Sequence, residues 1–475
     1  MTTANTFSDE LARLDAVATA EAVRDKAVSA EEVVAAAITR ARAMDPQIGA
    51  VACEDYERAA ATARTVGEGA FAGVPTFIKD MTDVAGLPTR NGSAAFANAQ
   101  PATSTFGIAQ QMFDMGMVGL GKSTLPEFGF TPSTEFPDGD PTRNPWNLDR
   151  SAGGSSGGSA ALVASGVVPI AHGQDGGGSI RVPAACNGLV GLKSSRGRLL
   201  PDPHDRLLPV KLVVDGVLTR SVRDTAAYFA EADRRYRSKR LTPLGDVTTP
   251  VGRRLRIGAM IDSPTGVTVD APTRKVFEQT IGLLEELGHE VRPMAAPVDA
   301  QFAEDFIHYW SMLAYAVSVG GKVLFDASFD KTKLTMLTTG LAAQFRSRMT
   351  RTPGVIRRLR MSAATVEERC RDLDVILSPT LSHLPPPLGH LGTDLRFDVL
   401  FPRVEQWVGF TPLANATGGP AISLPLGHDE ETNLPVGMMF SASLGQDGML
   451  LRLALELEAA RPFRSLADER CDERT

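Results

Sequence analysis

The chain lacks the sequence patterns of disulfide-bonded, zinc-binding and membrane-spanning proteins. Its longest apolar stretch, around residues 160–171, contains a serine, a glycine and a proline and is too short to cross a bilayer. The four cysteines are widely separated and show no paired spacing: Cys53, Cys186, Cys370 and Cys471. This pattern argues against a disulfide framework and a zinc site, and it favours a reducing, cytoplasmic environment.

The sequence also lacks an excess of positive charge and histidines at metal-ligand spacing. The net charge is −7, so we expect neither a nucleic acid nor an anionic membrane as the main partner. The seven histidines are scattered without metal-ligand spacing, and we therefore expect no metal and no cofactor. The first ten residues contain neither a basic nor an apolar segment, so no secretion signal is expected.

Short apolar strands alternate with helices along most of the chain, which predicts an α/β fold. Ser29 and Glu32 have the spacing of a capping box and open a helix over 29–44, which Asp45-Pro46 should end. The other predicted strands are 74–79, 117–120, 251–261, 290–291, 374–377 (stopped by Ser378-Pro379), 421–425 and 435–442. The other predicted helices are 106–115, 157–164, 273–287 and 448–458. Since no repeat or linker divides the chain, we expect one domain over 1–475, with an exposed excursion over 234–252.

Two serine-bearing glycine loops follow a lone lysine along the chain. Lys79 ends the apolar run 74–78, Ser155 lies in the loop 153–158, and Ser179 lies in the loop 176–181. A serine nucleophile needs a proton acceptor, and a lysine can serve when burial disfavours its ammonium form. Glycine loops that lead into helices supply clustered backbone N–H groups for a developing oxyanion. The three segments together contain the parts of a serine acyl-transfer site.

Each segment also has an ordinary structural interpretation. Either glycine loop could be a tight turn into a helix, and the loop 153–158 could equally cradle a phosphate. Lys79 could form an ion pair with Asp80 in a buried strand. The combination of all three segments is more specific than any one of them.

The chain resembles the amidase signature family over most of its length, densely over residues 71–200 and sparsely over about 230–370. The resemblance rests on seven segments: 73–80, 142–147, 153–159, 175–184, 188–193, 419–425 and 434–437. It implies the amidase signature fold, in which helices cover both faces of a large, mixed, twisted sheet. The region 230–370 would then be the variable part that faces the substrate.

The resemblance also implies a Ser–Ser–Lys triad. Ser179 matches the nucleophile, Ser155 matches the bridging serine beside a cis peptide bond, and Lys79 matches the base. The implied oxyanion hole consists of the backbone N–H groups of Gly176, Gly177, Gly178 and Ser179. The side chains implied to support the triad are Asp175, Arg181 and Ser156.

The chain departs from the family pattern in two places. Lys193-Ser194-Ser195 stands where Lys-Pro-Thr is usual, and Met439 stands where glutamine is frequent. Neither departure falls on the triad, so they bear on loop detail and substrate fit.

We therefore expect a serine hydrolase that cleaves the C–N bond of a small neutral or cyclic amide through an acyl-enzyme. The segments 142–147 and 172–198 are most similar to bacterial amidases that include hydrolases of the cyclic 6-aminohexanoate dimer. The A subunit of a glutamyl-tRNA amidotransferase shares the same motifs and stays an alternative, although no basic tract that would face a tRNA is visible. A homodimer is left open.

Three further features keep more than one interpretation. Residues 116–123 satisfy the P-loop pattern, but the preceding residues look helical and the glycines bracket a strand, so nucleotide binding is a remote alternative. His172 is expected to support the second glycine loop, with a catalytic role as the alternative. The aromatic and apolar residues of the segment 300–350 either wall a pocket or form a buried helix face: Phe306, Tyr309, Trp310 and Met312.

Overall fold

The computed structural model describes residues 10–201 and 208–467. In these ranges the strands are β1 Val51–Glu54, β2 Pro75–Lys79, β3 Val118–Ser123, β4 Arg143–Asn144, β5 Asn147–Ser151, β6 Ile170–Asp175, β7 Val190–Lys193, β8 Val214–Thr219, β9 Arg256–Ala259, β10 Glu290–Pro293, β11 Val375–Pro379, β12 Ala421–Asp429 and β13 Leu434–Ser441. The helices are α1 Glu10–Arg13, α2 Ala16–Arg24, α3 Ala30–Ile48, α4 Tyr56–Ala63, α5 Gly107–Asp114, α6 Gly157–Ala164, α7 Arg181–Asn187, α8 Val222–Arg235, α9 Ala271–Glu286, α10 Gln301–Leu324, α11 Met336–Arg348, α12 Thr352–Arg369, α13 Phe397–Trp407, α14 Pro412–Thr417 and α15 Asp447–Ala460.

Eight of the strands form one mixed sheet, in the order β10-β9-β11-β13-β12-β7-β8-β6. β9 pairs in parallel with β10 and β11. The neighbours from β11 through to β6 pair antiparallel. The predicted α/β fold with a large mixed sheet is confirmed.

Helices cover both faces of this sheet because side chains alternate along each strand. In β7, Val190 and Leu192 join a hydrophobic cluster that includes Tyr228 of α8. Gly191, between them, faces the opposite side, where a Cβ would lie only 2.6 Å from the Cβ of Ala184 in α7. The glycine therefore lets α7 approach the sheet closely on the side opposite α8.

A smaller sheet of β1, β3 and β2 lies beside β6. The hydroxyl of Thr76 in β2 donates to the carbonyl of Ile170 in β6 over 3.0 Å, which ties the two sheets together. All five residues of β2 are buried. The last of them is Lys79, so the fold carries this amine into the interior.

The helix α3 starts as predicted and ends later. The capping box at its start is present. The predicted end at Asp45-Pro46 is wrong, because the helix continues to Ile48 and ends at Gly49 in the left-handed conformation. Pro46 lies in the last turn, where it removes one intrahelical hydrogen bond and only two further residues of the helix follow it. The Asp45 carboxylate then accepts the N–H groups of the two residues after Gly49, at 2.7 and 2.8 Å.

The predicted stop of β11 at Ser378-Pro379 is also wrong. Both residues belong to the strand and lie opposite Met439 and Met438 of β13. Pro379 occupies the last position of β11, where the loss of one N–H disturbs the ladder least.

Residues 116–123 do not form a phosphate-binding loop. As the sequence predicts, the glycines lie in and just before a strand, β3. Lys122 is fully buried and its amine pairs with Asp80 at 2.6 Å. The lysine is therefore already engaged, and a helix does not follow the strand directly as a P-loop requires.

Between α8 and β9 the chain has neither helix nor strand and is mostly exposed, as predicted for 234–252, although α8 extends to Arg235. Within the described ranges, none of the helices is both long and apolar enough to cross a membrane. One hydrophobic cluster joins residues from Ala16 to Leu457. The assignment of a single domain stays a prediction.

Candidate active site

Lys79 is buried at the end of β2, with 1% of its surface exposed. Its Nζ forms hydrogen bonds with Ser155 Oγ at 2.7 Å and Ser156 Oγ at 3.0 Å. Burial lowers the pKa of Lys79 from 10.5 to about 7, although the carboxylates of Asp175 and Asp215 act in the opposite direction. Near neutral pH a large share of this amine is therefore uncharged and able to accept a proton.

The ordinary alternative, an ion pair between Lys79 and Asp80, is not what the structure shows. Successive side chains of a strand point to opposite faces, and Asp80 pairs with Lys122 instead. In the described part of the chain, the hydrogen-bond partners of Lys79 Nζ are the two serine hydroxyls and include no carboxylate.

A buried pair, His172 of β6 and Asp215 of β8, supports the strand that carries Lys79. His172 Nε2 lies 3.0 Å from Asp215 Oδ1, and His172 Nδ1 accepts the backbone N–H of Lys79 over 3.3 Å. Because Nδ1 is an acceptor, the ring proton is assigned to Nε2, which donates to Asp215. His172 thus supports the base rather than the glycine loop. Sequence analysis missed Asp215, which no local motif marks.

Ser155 follows a cis peptide bond with Gly154, as the resemblance implies. Gly129 closes over its hydroxyl: the φ angle of this glycine is +69°, and a Cβ there would lie 2.8 Å from Ser155 Oγ. Any larger residue would displace the serine. Gly129 is a site residue that sequence analysis missed, because a single glycine between two phenylalanines has no specific signature.

Ser156 joins the two glycine loops to the base. Its N–H donates to the carbonyl of Ser179 over 3.2 Å, and its hydroxyl donates to the carbonyl of Gln174 over 3.3 Å. Since Ser156 Oγ also contacts Lys79 Nζ, the base and both loops form one hydrogen-bonded unit.

A buried ion pair between Asp175 and Arg181 holds the second glycine loop. Arg181 donates from Nε and Nη2 to the two carboxylate oxygens, at 2.9 and 2.8 Å. Burial alone would raise the pKa of Asp175, but Arg181 and the Asn415 amide hold it well below its usual range. The Thr411 hydroxyl donates to the Gly177 carbonyl over 2.6 Å. Asn415 and Thr411 were missed because they lie 234 residues away from their partners along the chain.

The N–H of Gly178 is already used inside this loop. It donates to Asp175 Oδ1 over 2.8 Å. This corrects the expectation that all four N–H groups from Gly176 to Ser179 form the oxyanion hole. The three other N–H groups in that stretch stay predicted donors.

Ser179 is half-buried and lines a cavity of about 420 Å³. Among the described residues its hydroxyl has no side-chain hydrogen-bond partner, so it is open to a ligand in the cavity. Most of the other lining residues are apolar. The nucleophile predicted from the sequence therefore faces an apolar pocket.

The aromatic segment of α10 both walls a pocket and forms a buried helix face, the two alternatives that the sequence left open. Phe306 and Trp310 wall the cavity, with ring centroids 6.0 Å apart. Phe306 also contacts the glycine loop, because a Cβ at Gly177 would lie 3.3 Å from its ring. Tyr309 is fully buried and donates to a backbone carbonyl over 2.7 Å, and Met312 packs against the same cluster. One face thus lines the pocket and the other is core.

The two departures from the family pattern lie behind the glycine loop. Met439 Sδ accepts from Arg181 Nη1 over 3.3 Å, so a thioether takes part in holding the ion pair. Lys193 is buried, and its amine donates to the Ser194 carbonyl over 2.8 Å. Burial and the Arg181 charge lower the pKa of Lys193 to about 7.

This arrangement has the parts that nucleophilic acyl transfer requires. A buried amine contacts two serine hydroxyls, a third serine opens into an apolar cavity, and the backbone N–H groups of its glycine loop are the predicted oxyanion donors. Within the described ranges, no cluster of three or more His, Cys, Asp or Glu side chains could hold a metal ion.

Comparison with known proteins identifies the family. The family model described as Amidase matches residues 32–451. "Putative amidase AmiC" of Mycobacterium tuberculosis (strain ATCC 25618 / H37Rv) is 48% identical over 459 residues, 96% of each chain. The 6-aminohexanoate-cyclic-dimer hydrolase of Pseudomonas sp. (strain NK87) is 32% identical, over 94% of this chain and 95% of its own. A solved structure of 6-aminohexanoate cyclic dimer hydrolase matches with a TM-score of 0.88 and 29% identity, over 97% of this chain and 99% of the other. The chain therefore belongs to the amidase signature family of hydrolases that act on amides.

Proposed function

We propose that this amidase cleaves the C–N bond of a small neutral or cyclic amide through an acyl-enzyme on Ser179. The observation that carries the proposal is the buried amine of Lys79, 2.7 Å from Ser155 Oγ, with its pKa lowered to about 7. A protonated lysine could not serve as a base, and an exposed one would be protonated at neutral pH.

In the proposed reaction, Ser179 Oγ attacks the amide carbonyl while its proton passes to Ser155, which gives its own proton to Lys79 Nζ. Backbone N–H groups of the second glycine loop stabilise the oxyanion, each by about 2.7–4 kcal/mol in comparable sites. The proton then returns through Ser155 to the departing amine, and the C–N bond breaks. Water hydrolyses the ester left on Ser179 and regenerates the hydroxyl.

The cavity supports a small substrate with an apolar body. Its volume of about 420 Å³ lies within the range of small-molecule pockets. Phe306 and Trp310 lie against the glycine loop, so an apolar group next to the scissile carbonyl would contact aromatic rings. The similarity to 6-aminohexanoate-cyclic-dimer hydrolase supports cyclic amides as one class to assay.

Substitution of the nucleophile tests the proposal directly. Ser179→Ala should abolish hydrolysis of acyl amides, anilides and lactams while the circular dichroism spectrum and melting temperature stay unchanged. Ser347→Ala, which removes an exposed hydroxyl on α11, is the matched control and should retain full activity. Turnover by the Ser179 variant at the wild-type rate would refute the assignment.

The amidotransferase A subunit shares the same chemistry but delivers ammonia within an assembly. A free-standing hydrolase should turn over amides as a single purified species, whether monomer or homodimer. Light scattering combined with an amidase assay separates the two functions: activity that appears only with added partner subunits would favour the amidotransferase.

A further inference from the structure

The charged side chains described on the wall of the Ser179 cavity are all acidic. Among the described residues that line it, the ionisable side chains are Glu304 on α10 and Glu405 on α13, and this set contains no lysine, arginine or histidine. The described part of the cavity wall therefore offers a ligand negative charge without a compensating cation.

The two carboxylates differ in their surroundings. Glu304 is exposed and accepts a hydrogen bond from the Gln301 amide over 3.2 Å, so water screens its charge. Glu405 is half-buried, and in the described part of the chain it has neither an ion-pair nor a hydrogen-bond partner. Burial raises the pKa of Glu405, and no cation among the described residues opposes the effect.

The residues around Glu405 on the cavity wall are apolar. Phe401, Val404 and Val408 line the cavity on the same helix or directly after it, and each is half-buried. A carboxylate in such surroundings interacts more strongly with a ligand charge than an exposed one does, because less water screens it. The site is thus built so that a cation could be accepted and a second anion would be repelled.

We propose that Glu405 is a specificity-determining residue, which gives an advantage to amides that carry an ammonium group away from the scissile bond and rejects amides that carry a carboxylate. This inference rests on the proposed amide hydrolysis and extends the substrate class from uncharged to cationic amides. Glu405 takes no part in bond breaking: it sets which substrate binds.

Matched substrates test the charge preference. Three 4-nitroanilides of equal chain length, the 6-aminohexanoyl, hexanoyl and 5-carboxypentanoyl compounds, place a cation, no charge and an anion on the acyl side. Acetamides of 1,6-diaminohexane, hexylamine and 6-aminohexanoic acid place the same groups on the amine side. In at least one series, kcat/KM should fall from cation to neutral to anion by roughly 3- to 10-fold at each step.

Two isosteric variants locate the effect. Glu405→Gln should bring the three substrates of that series within about twofold of one another, through KM rather than kcat, while hydrolysis of the neutral compound is retained. Glu304→Gln, which removes the exposed carboxylate of the same cavity, should leave the ranking in place. A wild-type enzyme without charge ranking in either series, or a ranking that survives in Glu405→Gln, would overturn the proposal.

A second measurement distinguishes failure of the proposed hydrolysis from failure of the proposed charge preference. If the wild type turned over none of these amides, calorimetry with hexylamine and hexanoate would still measure the charge preference of the cavity. Binding of hexylamine that is lost in Glu405→Gln would support the role of Glu405, and equal binding of both probes would contradict it.

Discussion

The pH dependence of hydrolysis follows from the burial of Lys79. Because burial lowers its pKa from 10.5 to about 7, the neutral amine should be the active form. The neutral fraction rises from about one tenth at one pH unit below the pKa to about nine tenths at one unit above. We therefore expect kcat/KM to rise about tenfold per pH unit on the acid side and to level off above about pH 7.

The assay is a pH–rate profile of kcat/KM with an uncharged anilide, so that the substrate itself does not titrate. Lys193 is the matched control, because burial lowers its pKa to about 7 as well, yet its amine contacts Ser194 and not the triad. Lys193→Met should keep the acid limb at the same pH. A profile that is flat over the acid range, or a limb that disappears in Lys193→Met, would refute the reasoning.

Three substitutions test the structural side of the account. Lys79→Met should be inactive and more stable than the wild type by about 2–4 kcal/mol at neutral pH. In the wild type, the cost of burying the ammonium is fully present below the pKa of the folded state and is lost only as the pH rises to the pKa of the unfolded state. A lower stability of the variant in a urea titration would contradict this. Arg181→Met should cost about 3–5 kcal/mol because it leaves Asp175 buried without its partner, whereas Arg396→Met in an exposed pair should change the urea midpoint little. Gly129→Ala should lower kcat about 100-fold with little change in KM, because it displaces Ser155; unchanged kcat would show that the serine tolerates the methyl group.

The local motifs contain enough information to locate the triad segments. Lys79 ends an apolar run that is typical of a buried strand, and the two serines lie in glycine loops that favour a close backbone approach. The structure brings Lys79 within 3.0 Å of the first loop and ties both loops through Ser156. Periodicity likewise placed β2 and α6, but β6 and α7, which flank the second glycine loop, were not among the predicted strands and helices.

The rest of the site depends on contacts that are distant in sequence. Asn415 and Asp215 reach the site from α14 and β8, so no spacing along the chain reveals them. The use of the Gly178 N–H by Asp175 depends on where Arg181 fixes the carboxylate, which is a tertiary property. The predicted helix end at Asp45-Pro46 failed for a local reason. Proline usually ends a helix, but here the helix continues two residues beyond it.

Covalent labelling tests the central claim most directly. After reaction with a fluorophosphonate, peptide mass spectrometry should find one stoichiometric adduct, on Ser179, with labelling strongly slowed in Lys79→Met and absent in Ser179→Ala. An adduct on Ser155 or on another residue, or equal labelling rates in the wild type and Lys79→Met, would contradict a serine nucleophile activated by a buried neutral lysine.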